Sequence, residues 1–215
     1  MKIKSFQGGY DKNLCYVLSC EKTRLSVIID PSVEINPVLE YIESNNFILD
    51  KILITHSHHD HILYLKDYLN LFPLIKVYVS EESSLNDSIN YIYLEHNDII
   101  SIGEIFILSL LTPGHYYDSI CFWVKSENII FTGDTMFVGR TGRTINKGSN
   151  IKDLYYSIYN ILLKLPMKTT ILPGHHYGFK ESINLSDNIK YSDFFQCSTF
   201  DDFKLVMERY EKSRE

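Results

Sequence analysis

Short apolar runs alternate with helical patterns along the chain, and this alternation predicts an α/β protein. The apolar runs Leu14–Cys20 and Leu25–Ile29 flank the polar segment Glu21–Arg24, so they predict a β-hairpin. Five later runs are short and apolar, which is typical of buried strands: Lys51–Thr55, Ile75–Val79, Ile105–Leu111, Asn128–Phe131 and Thr170–Leu172.

Helices are predicted between these runs, where apolar residues recur at spacings of three and four. Asn36 and Pro37 are typical of the cap and first residue of a helix. Further helices are predicted from the histidine-rich segment to about Leu71, over Glu81–Tyr91, over Ile151–Leu165 and over Ser198–Arg214. Because the order of strand and helix repeats twice, we predict one domain over residues 1–215, in which residues 184–215 form a tail with one helix.

The segment Thr55-His56-Ser57-His58-His59-Asp60-His61 directly follows the apolar run Ile52–Ile54. It contains four side chains that commonly bind metals: His56, His58, Asp60 and His61. Alternate residues of an extended chain point the same way, so His56 and His58 can share one cation. The chain then turns into a helix, so Asp60 and His61 face the same cleft from another direction, within reach of a second cation.

Three later apolar runs end in the same way, with a glycine followed by a histidine or aspartate: Thr112-Pro113-Gly114-His115, Thr132-Gly133-Asp134-Thr135 and Pro173-Gly174-His175. Glycine tolerates the positive φ and the close backbone approach that such turns need. Of the eight histidines, only His96 lies outside these clusters. Because several strand ends supply the side chains, the pattern is far more specific for a metal site than one local motif would be.

These motifs, in this order, resemble those of the metallo-β-lactamase superfamily. From Asn13 to about Tyr177 the likeness is closest to the glyoxalase II (hydroxyacylglutathione hydrolase) branch, since Phe131–Arg143 and Leu172–Tyr177 match that branch. The resemblance implies a four-layer αββα sandwich of the α/β class, with a dinuclear centre between its two sheets. It implies one ion on His56, His58 and His115, another on Asp60, His61 and His175, and Asp134 as the bridge.

Such a centre favours the hydrolysis of a thioester. Two divalent cations about 3.5–4 Å apart repel each other, and Asp60, Asp134 and a bridging hydroxide would leave a net charge of about +1 that suits an oxyanion. We predict that this hydroxide attacks a carbonyl, with Asp60 as the catalytic residue that orients it and takes its proton. A thiol with a pKa near 8.5 can leave without a strong general acid. The donor set predicts zinc, with iron or manganese as alternatives.

Substrate contacts are predicted in the loop after Asp134. Arg140, Arg143 and Lys147 lie there among glycines and could bind a carboxylate or phosphate. The resemblance favours Arg143 and adds Tyr177, because both match glutathione-contacting positions of the glyoxalase II branch. One departure is Tyr116, which stands where the family has a small threonine and predicts a narrower pocket.

Composition limits the partners. Twenty-one basic and 27 acidic residues give a net charge of −6, which argues against a general binder of nucleic acid or anionic membranes. The first residues lack the pattern of a signal peptide, and no apolar run approaches the roughly 20 residues of a membrane span. The sequence therefore predicts a cytoplasmic enzyme acting on a small acyl thioester, with no prediction of its oligomeric state.

Three alternatives remain open from the sequence. A persulfide dioxygenase would use one iron on His56, His115 and Asp134 and would oxidise its substrate with oxygen. A phosphodiesterase could use the same pair of ions, because that geometry also stabilises in-line displacement. A non-catalytic metal-binding module would have its open coordination position blocked.

Overall fold

A computed structural model describes residues 1–85, 89 and 91–214 of the chain. Its first sheet contains six strands in chain order: β1 (Lys2–Gly8), β2 (Asn13–Ser19), β3 (Leu25–Ile29), β4 (Ile48–Leu53), β5 (Lys76–Ser80) and β6 (Tyr91–Leu94). The strands β1, β2 and β3 pair antiparallel, and the strands from β3 to β6 pair parallel. The predicted hairpin is therefore confirmed.

The second sheet contains the remaining strands of the described chain: β7 (Ile99–Ile102), β8 (Ile105–Leu111), β9 (Ile120–Val124), β10 (Ile129–Gly133), β11 (Thr170–Pro173) and β12 (Ile183–Asn184). Their order across the sheet is again the chain order. Only the neighbours β10 and β11 pair parallel among these strands. The carboxyl ends of β10 and β11 consequently lie side by side.

Helices cover the outer faces of both sheets. They are α1 (Ile35–Ser44), α2 (Leu65–Leu71), α3 (Ile151–Tyr156), α4 (Leu185–Tyr191) and α5 (Phe200–Lys212). The first two pack on the first sheet, and the last three pack on the second sheet. Because side chains alternate between the faces of a strand, the other face of each sheet is free to pack against the partner sheet. These four layers confirm the predicted αββα sandwich.

An apolar layer joins the two sheets. It includes the fully buried rings of Phe122 and Phe131, and Phe131 meets Tyr16 edge-on at a centroid distance of 5.2 Å. The Tyr16 hydroxyl donates a hydrogen bond to the Pro173 carbonyl at 2.8 Å, so it ties β2 to the end of β11. This packing holds the strand ends of both sheets at one shared edge.

The C-terminal tail contains two α-helices, so the prediction of one helix in residues 184–215 is wrong. Helix α5 agrees with the predicted segment, but α4 lies where no firm structure was predicted. One of the buried positions of α4 is polar: Asn188 accepts a hydrogen bond from Gly139 N at 2.7 Å and donates one to the Phe137 carbonyl at 2.9 Å. A helix of seven residues that buries an asparagine gives little apolar periodicity to detect.

Two other elements differ from the sequence prediction. The helix predicted over Glu81–Tyr91 is wrong in its described part, because residues 81–85 are not helical and Tyr91 begins β6. Residues 86–88 and 90 of that prediction lie outside the described residues. The helix predicted over Ile151–Leu165 changes geometry along its length: α3 passes into a π-helical turn at Ser157–Ile161 and then into a 3₁₀ turn at Leu162–Lys164.

None of the helices in the described part of the chain combines the length and the apolar composition needed to cross a bilayer.

Helix α5 contributes directly to the core of the second sheet, and this leads to a prediction. Phe203 is fully buried, so Phe203→Ala is expected to lower the free energy of unfolding by about 3 kcal/mol. The matched control is Leu205→Ala on the same helix, where the side chain is 51% exposed and the loss should stay below about 1 kcal/mol. Urea denaturation of both variants measures the difference, and equal losses would contradict a packed tail.

Candidate metal centre

All seven predicted metal-binding residues lie at the edge where four strands end. His56, His58, Asp60 and His61 follow β4, and the other three follow β8, β10 and β11. They form three overlapping groups in which one ligand atom from each member lies within 4.8 Å of the others: His56, His58 and His115; His56, His61 and Asp134; Asp60, His61 and His175. Side chains distant in sequence therefore meet as the strand-end pattern predicted.

The first group consists of three imidazoles. His58 Nδ1 lies 2.9 Å from His56 Nε2 and 3.1 Å from His115 Nε2. A neutral imidazole has one N–H donor and one acceptor nitrogen. Hydrogen bonds among three imidazole nitrogens that face one point therefore cannot satisfy all three. A cation placed between them would use their lone pairs.

The group of Asp60, His61 and His175, called the second group below, combines two imidazoles with a carboxylate. His175 Nε2 lies 3.2 Å from His61 Nε2 and 3.2 Å from Asp60 Oδ2. The amide of Asn13 donates to the same Asp60 oxygen at 2.9 Å. Asp60 is thereby fixed beside the two imidazoles, in an arrangement that suits a divalent cation.

Asp134 lies between the two groups. Its Oδ2 is 3.5 Å from His115 Nε2 and 3.4 Å from His175 Nε2, so one oxygen faces both groups. Its Oδ1 is buried and accepts no well-aligned hydrogen bond from the described residues, although His61 Nε2 lies 3.2 Å away. A buried carboxylate oxygen without a donor is costly, and a bound cation would compensate that cost. The donor set and this orphaned oxygen both fit a pair of cations.

A glycine makes this close approach possible. A Cβ atom added to Gly174 would lie 2.5 Å from Asp134 Oδ1 and 2.6 Å from His61 Cε1. Any larger residue would push apart the carboxylate and the imidazole that follow β10 and β4. The glycine before His175 therefore permits the contact between the two sheets at the site.

Two imidazoles of the site, His115 and His175, are oriented through the nitrogen that faces away from it. His115 Nδ1 lies 2.9 Å from the Arg143 carbonyl, and His175 Nδ1 lies 2.7 Å from the Asp11 carbonyl. A carbonyl only accepts hydrogen bonds, so both Nδ1 atoms must be protonated and both Nε2 atoms face the site. This tautomer is the one that a metal ion at Nε2 requires.

Asp30 is a structural residue that the sequence analysis missed. It is buried after β3, and its carboxylate accepts hydrogen bonds from Thr55 N at 2.7 Å and from Thr55 Oγ1 at 2.6 Å. It also lies 2.8 Å from His61 Nδ1. Asp30 therefore fixes both the end of β4 and one imidazole. Asn13 was missed as well. The position of Asp30 after an apolar strand is a signal that could have revealed it, whereas Asn13 begins a strand and carries no such signal.

His56 and His58 differ from His175 in protonation when no metal is bound. Burial lowers the pKa of His56 well below its usual range and that of His58 to about 4. Burial would also lower the pKa of His175, but the Asp134 and Asp60 carboxylates outweigh it and raise this pKa to about 9. Burial similarly opposes ionisation of Asp134, but the facing imidazoles hold its pKa well below the usual range. His56 and His58 are therefore neutral at neutral pH, whereas His175 retains its proton.

This difference predicts that metal binding releases protons. At neutral pH, His175 is protonated in the metal-free protein because its pKa of about 9 lies above the solution pH. A metal ion needs the neutral imidazole, so binding at the second group should release at least one proton, and affinity should rise up to tenfold per pH unit below that pKa. Calorimetric titration with zinc in buffers of different ionisation enthalpy measures the release. Heats that do not depend on the buffer would contradict this assignment.

The predicted substrate residues take different places. Tyr177 stacks on His175 with ring centroids 4.6 Å apart, and its hydroxyl donates to Asp11 Oδ2 at 2.6 Å. Arg140 lies over the Tyr177 ring at 4.1 Å. Arg143 instead binds Glu211 of α5, with its Nε 2.9 Å from both carboxylate oxygens. Lys147 is exposed in the loop. The substrate-binding roles stay predictions.

Tyr116 covers part of the first group. Its ring lies 4.1 Å from the His58 ring and 6.3 Å from the His56 ring, measured between centroids. The half-buried Tyr116 side chain therefore restricts access to these imidazoles, in agreement with the narrower pocket predicted from the sequence.

Comparisons with known proteins agree with this geometry. A family model described as the metallo-beta-lactamase superfamily matches residues 10–175. The "Probable hydroxyacylglutathione hydrolase glo2" of Schizosaccharomyces pombe is 35% identical over 174 residues; this covers 79% of the chain, which spans just under two thirds, 66%, of that relative's length. The "Probable polyketide biosynthesis zinc-dependent hydrolase BaeB" of Bacillus velezensis is 29% identical over 94% of this chain and 89% of that protein. The crystal structure of ETHE1 from Myxococcus xanthus is similar with a TM-score of 0.88 and 26% identity, over 98% of this chain and 91% of that chain.

Proposed function

This chain belongs to the metallo-β-lactamase superfamily, and from that membership and its site we propose that it is a metal-dependent hydrolase that cleaves a thioester of the hydroxyacylglutathione type. The metal ligands we propose are His56, His58 and His115 for one ion, Asp60, His61 and His175 for the other, and Asp134 for both. Zinc is the proposed metal, in agreement with the name of the BaeB relative.

The position of Asp134 is the observation that carries this proposal. Its Oδ2 faces one imidazole of each group, His115 at 3.5 Å and His175 at 3.4 Å. A carboxylate in this position would offset the repulsion between two cations. A pair of bound ions would polarise a substrate carbonyl and lower the pKa of a shared water from 15.7 to around 7.

The protein's own residues would control that reaction. The pKa of Asp60 lies below its usual range, because contacts with His175, His61 and Asn13 outweigh the effect of burial, so Asp60 is ionised at neutral pH. An ionised carboxylate at this place can hold the attacking water and accept a proton from it. Asp30 and the backbone carbonyls keep the imidazoles of His61, His115 and His175 in one orientation, so this part of the site is preorganised.

A thioester is the acyl substrate that needs the least catalytic assistance from this site. Its thiol has a pKa near 8.5 and can leave as the thiolate. The name of the S. pombe relative supports a hydroxyacylglutathione, and the BaeB relative supports a zinc-dependent hydrolase of similar length.

The second candidate is a persulfide dioxygenase with one iron. His56, His115 and Asp134 would suffice for a single iron, and all three lie in the described groups. The chain is also similar to ETHE1 of Myxococcus xanthus along almost its whole length, and this supports the second candidate as strongly as the hydrolase names support the first.

Metal analysis and two assays on the purified protein separate these candidates. One assay follows the hydrolysis of lactoylglutathione and of simple acyl thioesters, and the other follows oxygen uptake with glutathione persulfide. We expect two zinc ions per chain and thioester turnover without oxygen uptake. One iron per chain with oxygen uptake would overturn the proposal in favour of the dioxygenase.

A further inference from the structure

Arg140 is held by aromatic rings. Its guanidinium carbon lies 4.1 Å from the ring centroid of Tyr177 and 5.4 Å from those of Phe137 and Tyr210. A cation–π contact attracts the positive charge to a ring and supplies no hydrogen-bond acceptor for the guanidinium N–H groups. These contacts therefore fix the position of the cation without consuming its donors.

The neighbouring arginine has the opposite arrangement. Arg143 is neutralised by Glu211 of α5, which accepts hydrogen bonds from its Nε. Arg140 has no carboxylate within ion-pair distance in the described parts of the chain, and its buried Nε has no hydrogen-bond partner there. A half-buried cation with unused donors is the feature that an anionic ligand would complete.

A second cation strengthens the positive field at this place. Arg214 lies 5.7 Å from the ring centroid of Tyr210, which Arg140 also contacts, and donates to the Tyr210 hydroxyl at 2.9 Å. Two guanidinium groups against one ring repel each other. An anion bound at Arg140 would reduce this repulsion.

The location of Arg140 links it to the metal centre. The Tyr177 ring stacks on His175 at 4.6 Å and is nearly parallel to it, so one of its faces is occupied by the imidazole. The Arg140 guanidinium, 4.1 Å from the same ring, must take the other face. The cation therefore lies one aromatic ring beyond a proposed metal ligand. These two separations put the guanidinium within about 9 Å of the His175 ring. A thiol portion of two extended peptide units spans about 7 Å, and a hydrogen bond of about 3 Å from its terminal anion covers the rest.

We propose that Arg140, and not Arg143, binds an anionic group, a carboxylate or a phosphate, on the thiol portion of the substrate. This inference rests on the proposed thioester hydrolysis. It assigns selectivity for charged thiols to one residue of the loop after Asp134 and gives Arg143 a structural role with α5.

Matched substrates that differ only in charge test this role. The first pair is the S-acetyl thioester of mercaptoacetylglycine and the same compound with a glycinamide end. The second pair is S-acetyl-4′-phosphopantetheine and S-acetylpantetheine, which places a phosphate further from the sulfur. For at least one pair, the zinc-loaded wild type should show a KM about tenfold lower for the charged member. The pair that shows the difference identifies carboxylate or phosphate.

Variants then assign the preference to a residue. Arg140→Gln should bring the two KM values together by raising only that of the charged member. Arg143→Gln should lower stability through the loss of the Glu211 pair and keep the preference. Arg24→Gln is the matched control and should keep the preference. Arg24 also lies over an aromatic ring, 4.4 Å from Phe47, but at the end of the first sheet that is opposite the metal centre.

Binding provides a readout that does not depend on turnover. The probe is the S-methyl thioether of whichever thiol shows the preference, mercaptoacetylglycine or 4′-phosphopantetheine, because it has no thioester to hydrolyse. Calorimetry should show that it binds about tenfold more weakly to Arg140→Gln than to the wild type. A preference for the charged thioester that survives in Arg140→Gln, or is lost in Arg143→Gln, would overturn the inference while leaving thioester hydrolysis intact. Absence of turnover with every thioester would instead overturn the proposed function.

Discussion

Replacing Asp134 with alanine is expected to reduce thioester turnover at least about a thousandfold and to leave one metal ion or fewer per chain. The reason is electrostatic, since Asp134 is the carboxylate whose single oxygen lies 3.5 Å from His115 and 3.4 Å from His175. Without this anion, two cations at the adjoining groups would repel each other with less compensation. Metal analysis after dialysis and steady-state kinetics measure the two effects.

Two further variants sharpen this test. Asp134→Asn keeps the shape of the side chain and removes its charge, so it should lose turnover and metal almost as fully as alanine does. Asp201→Ala removes an exposed carboxylate from α5 and should retain both. An Asp134→Ala protein with two ions and normal turnover would contradict the shared role of this carboxylate.

Replacing Asp30 with alanine should have the largest effect on stability. The buried carboxylate satisfies Thr55 N and Thr55 Oγ1 and lies 2.8 Å from His61 Nδ1, so its removal leaves three buried groups without their partner. We expect the metal-free protein to lose about 4 kcal/mol of unfolding free energy. Zinc affinity should fall as well, because His61 is no longer held in one orientation.

Urea denaturation of the metal-free protein isolates the effect on folding from the effect on metal binding. Asp30→Asn retains one acceptor and the volume of the side chain, so its loss of stability should be smaller than that of Asp30→Ala. If both variants unfolded at the wild-type urea concentration, Asp30 could not be the residue that secures the end of β4.

The metal-binding pattern was readable from the sequence because it repeats a local rule. Each of the four segments has an apolar strand followed by a turn and a side chain that can bind a metal, and the ends of these strands meet at the edge that the two sheets share. The structure accordingly brings all seven side chains together. Asp30 also follows an apolar strand, β3, but it was interpreted only as the start of a turn, and Asn13 begins a strand instead of ending one. The partners of both residues lie far along the chain.

The surroundings of the arginines show the same limit. Arg143 and Glu211 are separated by 68 residues, and nothing in either segment indicates that they pair. The family resemblance favoured Arg143 over Arg140 as a substrate contact. Only the packing of α5 reveals that Arg143 already pairs with a carboxylate and that Arg140 lies against aromatic rings. Contacts formed by tertiary packing leave no periodic trace in the sequence.

Secondary structure was predicted best in long segments that bury only one of their faces. The run Ile105–Leu111 coincides with β8, and the amphipathic segment of α5 was found. Strands β1 and β6 were missed because β1 is only partly buried and β6 has four residues. Helix α4 was missed because a buried asparagine interrupts its apolar face.

The origin of the ligands has a consequence for the molecule as a whole. In each of the two proposed ligand groups, the side chains after β4 belong to the first half of the sandwich, and the histidine that joins them follows β8 or β11 of the second half. Every bound ion would thus act as a cross-link between the halves, placed at the rim where apolar contact between the sheets gives way to solvent. The metal ions would therefore stabilise the fold as well as take part in catalysis, and a chelator would weaken the contact between the two sheets beside the site.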